Sequence, residues 1–136
     1  MNNLLTAIYG KLSGSTLDTY VGGRVYLDEA PPSPEFPYVV YFVVSDAPDY
    51  NFKTTLEDVW IQFSLFSSSA SAVEISTMYN YLKTLYDDVK LTITGSTHIW
   101  MVRRNLVTMV DEVTTPSGTS TVKHWAVDYN VITEGT

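Results

Sequence analysis

Apolar residues recur along this chain with two different periods, and the change of period marks out its elements. Over residues 71–86, SAVEISTMYNYLKTLY, the residues Ala72, Ile75, Tyr79, Leu82 and Tyr86 fall at helical spacing. Met78 and Leu85 widen the stripe, so the pattern predicts one long amphipathic helix. Ser71 and Glu74 have the S-x-x-E spacing of a capping box, which would satisfy two backbone N–H groups of the first turn. A stripe this wide needs an apolar surface beneath it. Every other strong signal in the chain has period two, so the expected partner is a β-sheet.

Leu4, Leu5, Ile8 and Leu12 predict a short N-terminal helix, ended by Gly10 to Gly14 and marginal without tertiary packing. Gly22 and Gly23 mark a turn, and Arg24 to Leu27 a brief strand. Residues 28–37 hold four prolines in ten positions, which excludes both a helix and a central strand. The unbroken run YVVYFVV at 38–44 predicts a strand buried on both faces, hence central. Residues 45–57, SDAPDYNFKTTLE, read as a long polar loop. Residues 58–66 alternate Val59, Ile61, Phe63 and Leu65 against Trp60, Gln62, Ser64 and Phe66, a strand with one apolar face. Beyond the helix, Asp87 and Asp88 mark its exit, and Val89, Leu91 and Ile93 alternate in a short strand up to Gly95.

The last forty residues read as a long hairpin, with arms 98–113 and 122–133 and the loop TPSGTS between them. Placing Asp111 opposite His124 gathers Trp100, Val102, Leu106, Thr108 and Val110 with Trp125, Val127, Tyr129 and Val131 on one face. The other face then holds Arg103, Asn105, Met109 and Asp111 with His124, Ala126, Asp128, Asn130 and Ile132. Arg104 is the exception on the apolar side, and Glu112 faces Lys123. A slip of two residues keeps these faces and a slip of one mixes them, so the pattern fixes the parity and leaves the register open. The expected fold is therefore α+β: a single mainly antiparallel sheet with a long C-terminal hairpin, one main helix packed on the sheet and a short N-terminal helix, all in one domain over 1–136.

Composition narrows the function. With 136 residues and 45% hydrophobic content, the chain can build one ordinary core. A net charge of −7 argues against a dedicated nucleic-acid binder, which needs a basic face to displace phosphate counterions. No apolar run approaches the roughly 20 residues that span a bilayer, and MNNLLTAIYGK lacks the basic start and apolar segment of a signal peptide. The expectation is a soluble intracellular product with no membrane contact. The absence of cysteine removes disulfides, thiolate catalysis and cysteine metal sites.

Candidate chemistry is sparse. His98 and His124 fall near opposite ends of the hairpin and cannot share a metal. His124 beside Asp111 has the composition of a general-base pair, but no G-x-S-x-G, phosphate loop or cysteine completes a mechanism. Asp46, Asp49 and Asp58 fit no EF-hand spacing. Arg103 and Arg104 alternate to opposite faces and make no basic stripe. The expectation is a protein without catalytic residues, metal or cofactor.

A resemblance takes the reading further. An N-terminal amphipathic helix, V-G-G-R-V-Y at 21–26, a proline-rich bridge and F-P-Y-V-V-Y at 36–41 are similar to the tail completion, or tail terminator, proteins of long-tailed bacteriophages. The order that follows, a strand, the helix at 71–86 and a closing β region, also resembles that family. The resemblance implies a structural virion protein, assembled in the host cytoplasm, that forms a homo-oligomeric ring, typically a hexamer. Such a ring caps the tail tube, ends tail growth and joins the tail to the head connector, and DNA passes through its bore without specific binding. Its partners would be the tail tube protein and the head connector or head completion protein, and its motif residues are structural. Two alternatives stand beside this: another ring or adaptor of the head–tail neck, and a monomeric α+β domain that binds a small ligand.

The helix stripe and the apolar hairpin face are committed to the core, so contacts fall to the loops. Tyr50 and Phe52, with Asp46 and Asp49 around them, either tuck beneath their own loop or touch a neighbouring subunit or the tube. The hairpin tip with Pro116 and Gly118 is expected to order on docking.

Overall fold

The structure, a computed structural model, describes the chain except for residues 1, 33, 51–54, 88–90, 92, 94–95, 116–117 and 136. Its elements run α1 (Asn2–Leu12), α2 (Thr16–Tyr20), β1 (Val25–Leu27), β2 (Tyr38–Tyr50), β3 (Thr55–Ser67), α3 (Val73–Tyr86), β4 (Ser96–Thr115) and β5 (Gly118–Gly135). The strands form one sheet in the order β1-β2-β3-β5-β4. Only β1 and β2 are parallel; every other neighbouring pair is antiparallel.

The core lies between one face of this sheet and helices α1 and α3. Strand β3 is the middle strand and buries Val59, Ile61, Phe63 and Leu65 completely, the alternation expected from its sequence. From α3 come Ile75, Met78, Leu82 and Tyr86, and from α1 Leu4, Ile8 and Leu12, all in the same cluster as the strand residues. Tyr79 is half-buried, with its ring edge-on to Trp125 at 5.8 Å. The buried Tyr86 hydroxyl donates to Ile8 O at 2.8 Å and so ties the two helices together. Burial holds that phenol protonated far above its ordinary range.

Several elements differ from their sequence reading. Ser71 and Glu74 do not form a capping box. Instead Ser67, Ser69 and Ser71 each accept the N–H two residues on, at 3.2–3.3 Å, and the Glu74 carboxylate accepts from the Ser67 hydroxyl at 2.6 Å. Lys123 then donates to the carbonyls of Ser69 and Ala70. A capping-box-like exchange sits at α2, where Ser15 accepts from Asp18 N and Asp18 accepts from Gly14 N. That short helix was not visible as a separate period, and Gly10 lies inside α1 rather than ending it.

The polar stretch 45–57 is not a loop, for β2 continues to Tyr50 and β3 begins at Thr55. Strand β2 lies between β1 and β3 and is buried on both faces only at its start: Val39, Val40 and Tyr41 are buried, whereas Val44 is 54% exposed. Strand β1 covers its outer edge only from Val39 to Tyr41. Past that point β2 is an edge strand, which is where Pro48, lacking an N–H, is tolerated. Leu91 and Ile93 are buried in the core cluster but form no strand; Val89 and Gly95 lie outside the described residues.

The C-terminal hairpin is longer than expected, and its arms reach Thr115 and Gly118 rather than stopping at a six-residue loop. Asp111 pairs with Val122 and Met109 with His124, two residues from the trial register and with the expected parity, and Lys123 faces Val110 rather than Glu112. A bulge between Arg103 and Asn105 then inserts one residue and reverses the parity. Met101 therefore turns into the core while Trp100, expected on the apolar face, is 44% exposed on the other.

Candidate interaction surfaces

The two hairpin turns lie at opposite ends of the sheet. Tyr50 pairs with Thr55, and Thr55 with Gly135, at one end; Thr115 pairs with Gly118 at the other. Asp46 is an exposed edge residue of β2 opposite Val59, and Asp49 pairs with Leu56 in the same arm. The side chains of Asp49 and Tyr50, and Phe52 and Pro116 altogether, lie outside the described residues. Gly118 is exposed with φ 128°, a conformation that disfavours any side chain. The expected contact residues thus form two groups separated by most of β5, whose 18 residues span about 60 Å. Beyond Lys123 and Ser67, β5 has no neighbour but β4, and the last turns of that hairpin project as a two-stranded ribbon.

The face of the sheet turned away from the helices carries two different textures. Near the ribbon, Phe36, Tyr38, Phe66 and His124 form an aromatic ladder, with centroid distances of 5.2, 4.6 and 4.3 Å. Further along, polar side chains bond to one another. Gln62 donates to Asp128 at 3.0 Å, Asn130 donates to Asp58, and Arg104 donates to Asn130 Oδ1 at 3.3 Å. The mutual shielding leaves Ser64 and Asn130 only 4% exposed on a face that no helix covers.

His124 is the one histidine whose surroundings are described. Its Nδ1 lies 3.6 Å from Asp111 Oδ2, and its buried Nε2 has no hydrogen-bond partner. Burial lowers its pKa, against the opposing pull of the Asp111 carboxylate. The pairing of Asp111 with His124 expected from the sequence is therefore present, as a diagonal contact. The nearby Ser64 hydroxyl donates to Gln62. His98 pairs with Thr133, nine residues along β5 from His124, or roughly 30 Å. Among the described residues no three potential metal ligands converge, and no helix is long and apolar enough to cross a membrane.

The glycine pair at 22–23 serves the backbone. Both adopt positive φ, 64° and 79°, and a Cβ on Gly22 would come within 2.8 Å of the Arg24 guanidinium. Arg24 in turn donates to the carbonyls of Pro37 and Phe36 at 3.0 and 3.3 Å, which staples the proline-rich bridge to the start of β1. The residues that carry the V-G-G-R-V-Y and F-P-Y-V-V-Y motifs are thus held against each other.

The sequence matches the family described as Tail completion protein gp17 over residues 6–134. The chain belongs to this tail completion family. It is accordingly a structural component of a phage-type virion tail, as the resemblance implied. A chain from the virion of a native gene transfer agent particle has the same fold, with a TM-score of 0.75 at 15% identity, over 96% of this chain and 93% of its own. A second solved chain matches with a TM-score of 0.50 at 13% identity, over 93% and 94%. No curated protein sequence matches at significance. Within the tail completion fold, one surface had no sequence signal. Leu5, Thr6, Tyr9, Val25, Leu27 and Tyr41 line an open groove of about 480 Å³ between α1 and β1. Tyr9 lies off the α1 stripe, and that displacement is the only trace the groove leaves in the sequence.

Proposed function

We propose that this tail completion protein forms a ring that caps the tail tube, ends tail growth and joins the tail to the head connector. DNA passes through the bore. The observation that carries this reading is the placement of the two hairpin turns at opposite ends of one long sheet. A subunit so built offers separate top and bottom surfaces to two unlike partners, while the edges of its sheet remain for its neighbours. Family membership supports the reading, as does the similarity to a chain of an assembled virion particle. The acidic charge also suits a bore that DNA traverses without sticking. In this reading Asp46, Asp49, Tyr50 and Phe52 contact the tube or a neighbouring subunit, and Pro116 and Gly118 dock at the other end.

The test is the double substitution Tyr50→Ala with Phe52→Ala. A folded variant, by circular dichroism, that neither forms rings by solution mass nor caps tails by electron microscopy supports the assignment. Normal assembly removes those residues from the contact. A variant that unfolds returns them to the core.

A further inference from the structure

The two edges of the sheet are unlike, and they match. A ring contact is heterologous, so each subunit must present two different, complementary patches on opposite sides. At one edge, β1 and α1 frame the apolar groove, with Leu27 42% exposed and Tyr9 53% exposed. Asp28 and Glu29 follow directly and are exposed. At the other edge runs β4, with Arg103 and Arg104 exposed at the bulge and Leu106 and Thr108 on the helix side below them.

The register aligns these patches. Leu27 pairs with Tyr41, Tyr41 with Phe63, Phe63 with Val127, and Val127 with Leu106. Leu27 and Leu106 therefore occupy one rung of the sheet at its opposite edges. By the same route Val25 shares a rung with Thr108. Arg103 shares its rung with Val43, two residues past Tyr41, whereas Asp28 and Glu29 follow Leu27 in a tight turn, with Asp28 at φ 68° and the Glu29 N–H on Leu27 O, and stay near the Leu27 rung. Apolar surface thus stands level with apolar surface, and one edge carries the acidic Asp28 and Glu29 while the other carries the basic Arg104 and Arg103, the latter also paired with Asp87. Asp111 and Glu112 lie beyond the Thr108 rung, past the start of β1. The apolar parts of both patches lie in the same layer, on the side of the sheet that carries the helices, while Asp28 and Glu29 border the opposite face, where Arg104 also bonds to Asn130. Rotation about an axis along the strands brings equal rungs of the same layer together.

From this geometry we infer that a second copy of this chain docks its β4 edge, Arg103 to Thr108, onto the α1–β1 groove and the adjoining Asp28 and Glu29. The inference rests on the ring reading and names its subunit contact. The contact is made by side chains rather than by strand addition. The Val25 N–H already donates to Gly23 O, and Leu27 O accepts from Glu29 N, so much of the outer edge of β1 is closed to pairing.

The chain contains no cysteine, which makes site-directed cross-linking clean. Leu27→Cys and Thr108→Cys, singly and together, are treated with a flexible bis-maleimide, both as purified protein and on assembled tails. Both positions are exposed, and thermal melts confirm that each variant folds. The expected result is a ladder of linked oligomers from the double variant and monomers from each single variant. Dimers from a single variant would show a two-fold contact and overturn the inference. Rings that assemble without cross-links would place the contact elsewhere and overturn it while sparing the ring. A subunit that remains single on the tail would remove the ring reading itself. Glu29→Arg supplies an independent measure: half-assembly should need at least tenfold more protein, and an unchanged midpoint counts against the charge pairing.

Discussion

The two faces of strand β3 differ in kind, although the same backbone carries both. Toward the helices, Val59, Ile61, Phe63 and Leu65 are wholly enclosed, and Phe63 stacks on Tyr86 at 4.9 Å and meets Tyr129 edge-on at 5.6 Å. Away from the helices, Gln62 donates to Asp128 on the next strand and accepts from Ser64 on its own, and Phe66 stacks on Tyr38. The first face gains free energy from the apolar area it removes from water, a non-directional effect. The second gains less, because hydrogen bonds within the protein replace equivalent ones to water. Stability is therefore concentrated on one side of the sheet, and the other side is free to carry directional contacts.

The sharpest way to break this contrast is to truncate one phenylalanine on each face. Phe63→Ala is expected to cost about 3–5 kcal/mol in denaturant unfolding, and Phe66→Ala less than about half of that. Equal losses would mean that the open face is covered as well. Leu82→Ala tests the helix side of the same core and should cost ~2–5 kcal/mol; a loss below about 0.5 kcal/mol would place the α3 stripe in solvent.

Tyr129 lies where the two kinds of interaction meet. Its ring is buried, and its hydroxyl donates to Asp87 Oδ1 at 2.6 Å. Asp87 also pairs with Arg103 at 3.2 Å, so it keeps a partner when the phenol is removed. Tyr129→Phe should then cost about 1–2 kcal/mol, within the range for hydrogen bonds to charged groups. An unchanged unfolding midpoint would remove Asp87 from the core's support.

The smallest expected effect belongs to His124 on the open face. Its folded pKa lies below the ordinary value of 6.5, so the unfolded chain binds the proton more readily. Stability is then fully present above about pH 6.5 and declines as pH falls through the lowered folded value. His124→Phe keeps a ring on Phe66 and should flatten that part of the profile by less than about 1 kcal/mol, read from thermal melts across pH 5–8. A slope that survives the substitution would assign the effect to other groups.

The legible parts of the fold are those in which a core wrote a period into the sequence. Strand β3 and helix α3 each have one buried side, and their apolar residues sit where the periods of two and of 3.6 require. Residues 45–48 and 56–57 left no such mark, because none of them is buried: 45–48 are exposed, and 56 and 57 are half-buried. The bulge at Arg103–Asn105 was illegible for another reason: one inserted residue exchanges Trp100 for Met101 at the core, and both are apolar enough to have served. The serine ladder before α3 was hidden by a better-known capping spacing that overlaps it within residues 67–74. Among the contact residues, sequence alone placed Asp46 and Gly118 at exposed positions, but it could not say that they lie at opposite ends of one sheet. That separation comes from long-range pairing, which no local pattern encodes.

The length of β5 has a mechanical consequence. It is bonded to β3 over thirteen residue pairs and to β4 along nearly its whole extent. A pull applied between the two hairpin turns runs along the strands, at right angles to the interstrand hydrogen bonds. Such a load slides the strands past one another and strains many bonds at once, whereas a pull across the sheet would open them one after another. The subunit is therefore stiffest along the line that joins its two ends, and a joint stretched along that line would yield elsewhere before the sheet parted.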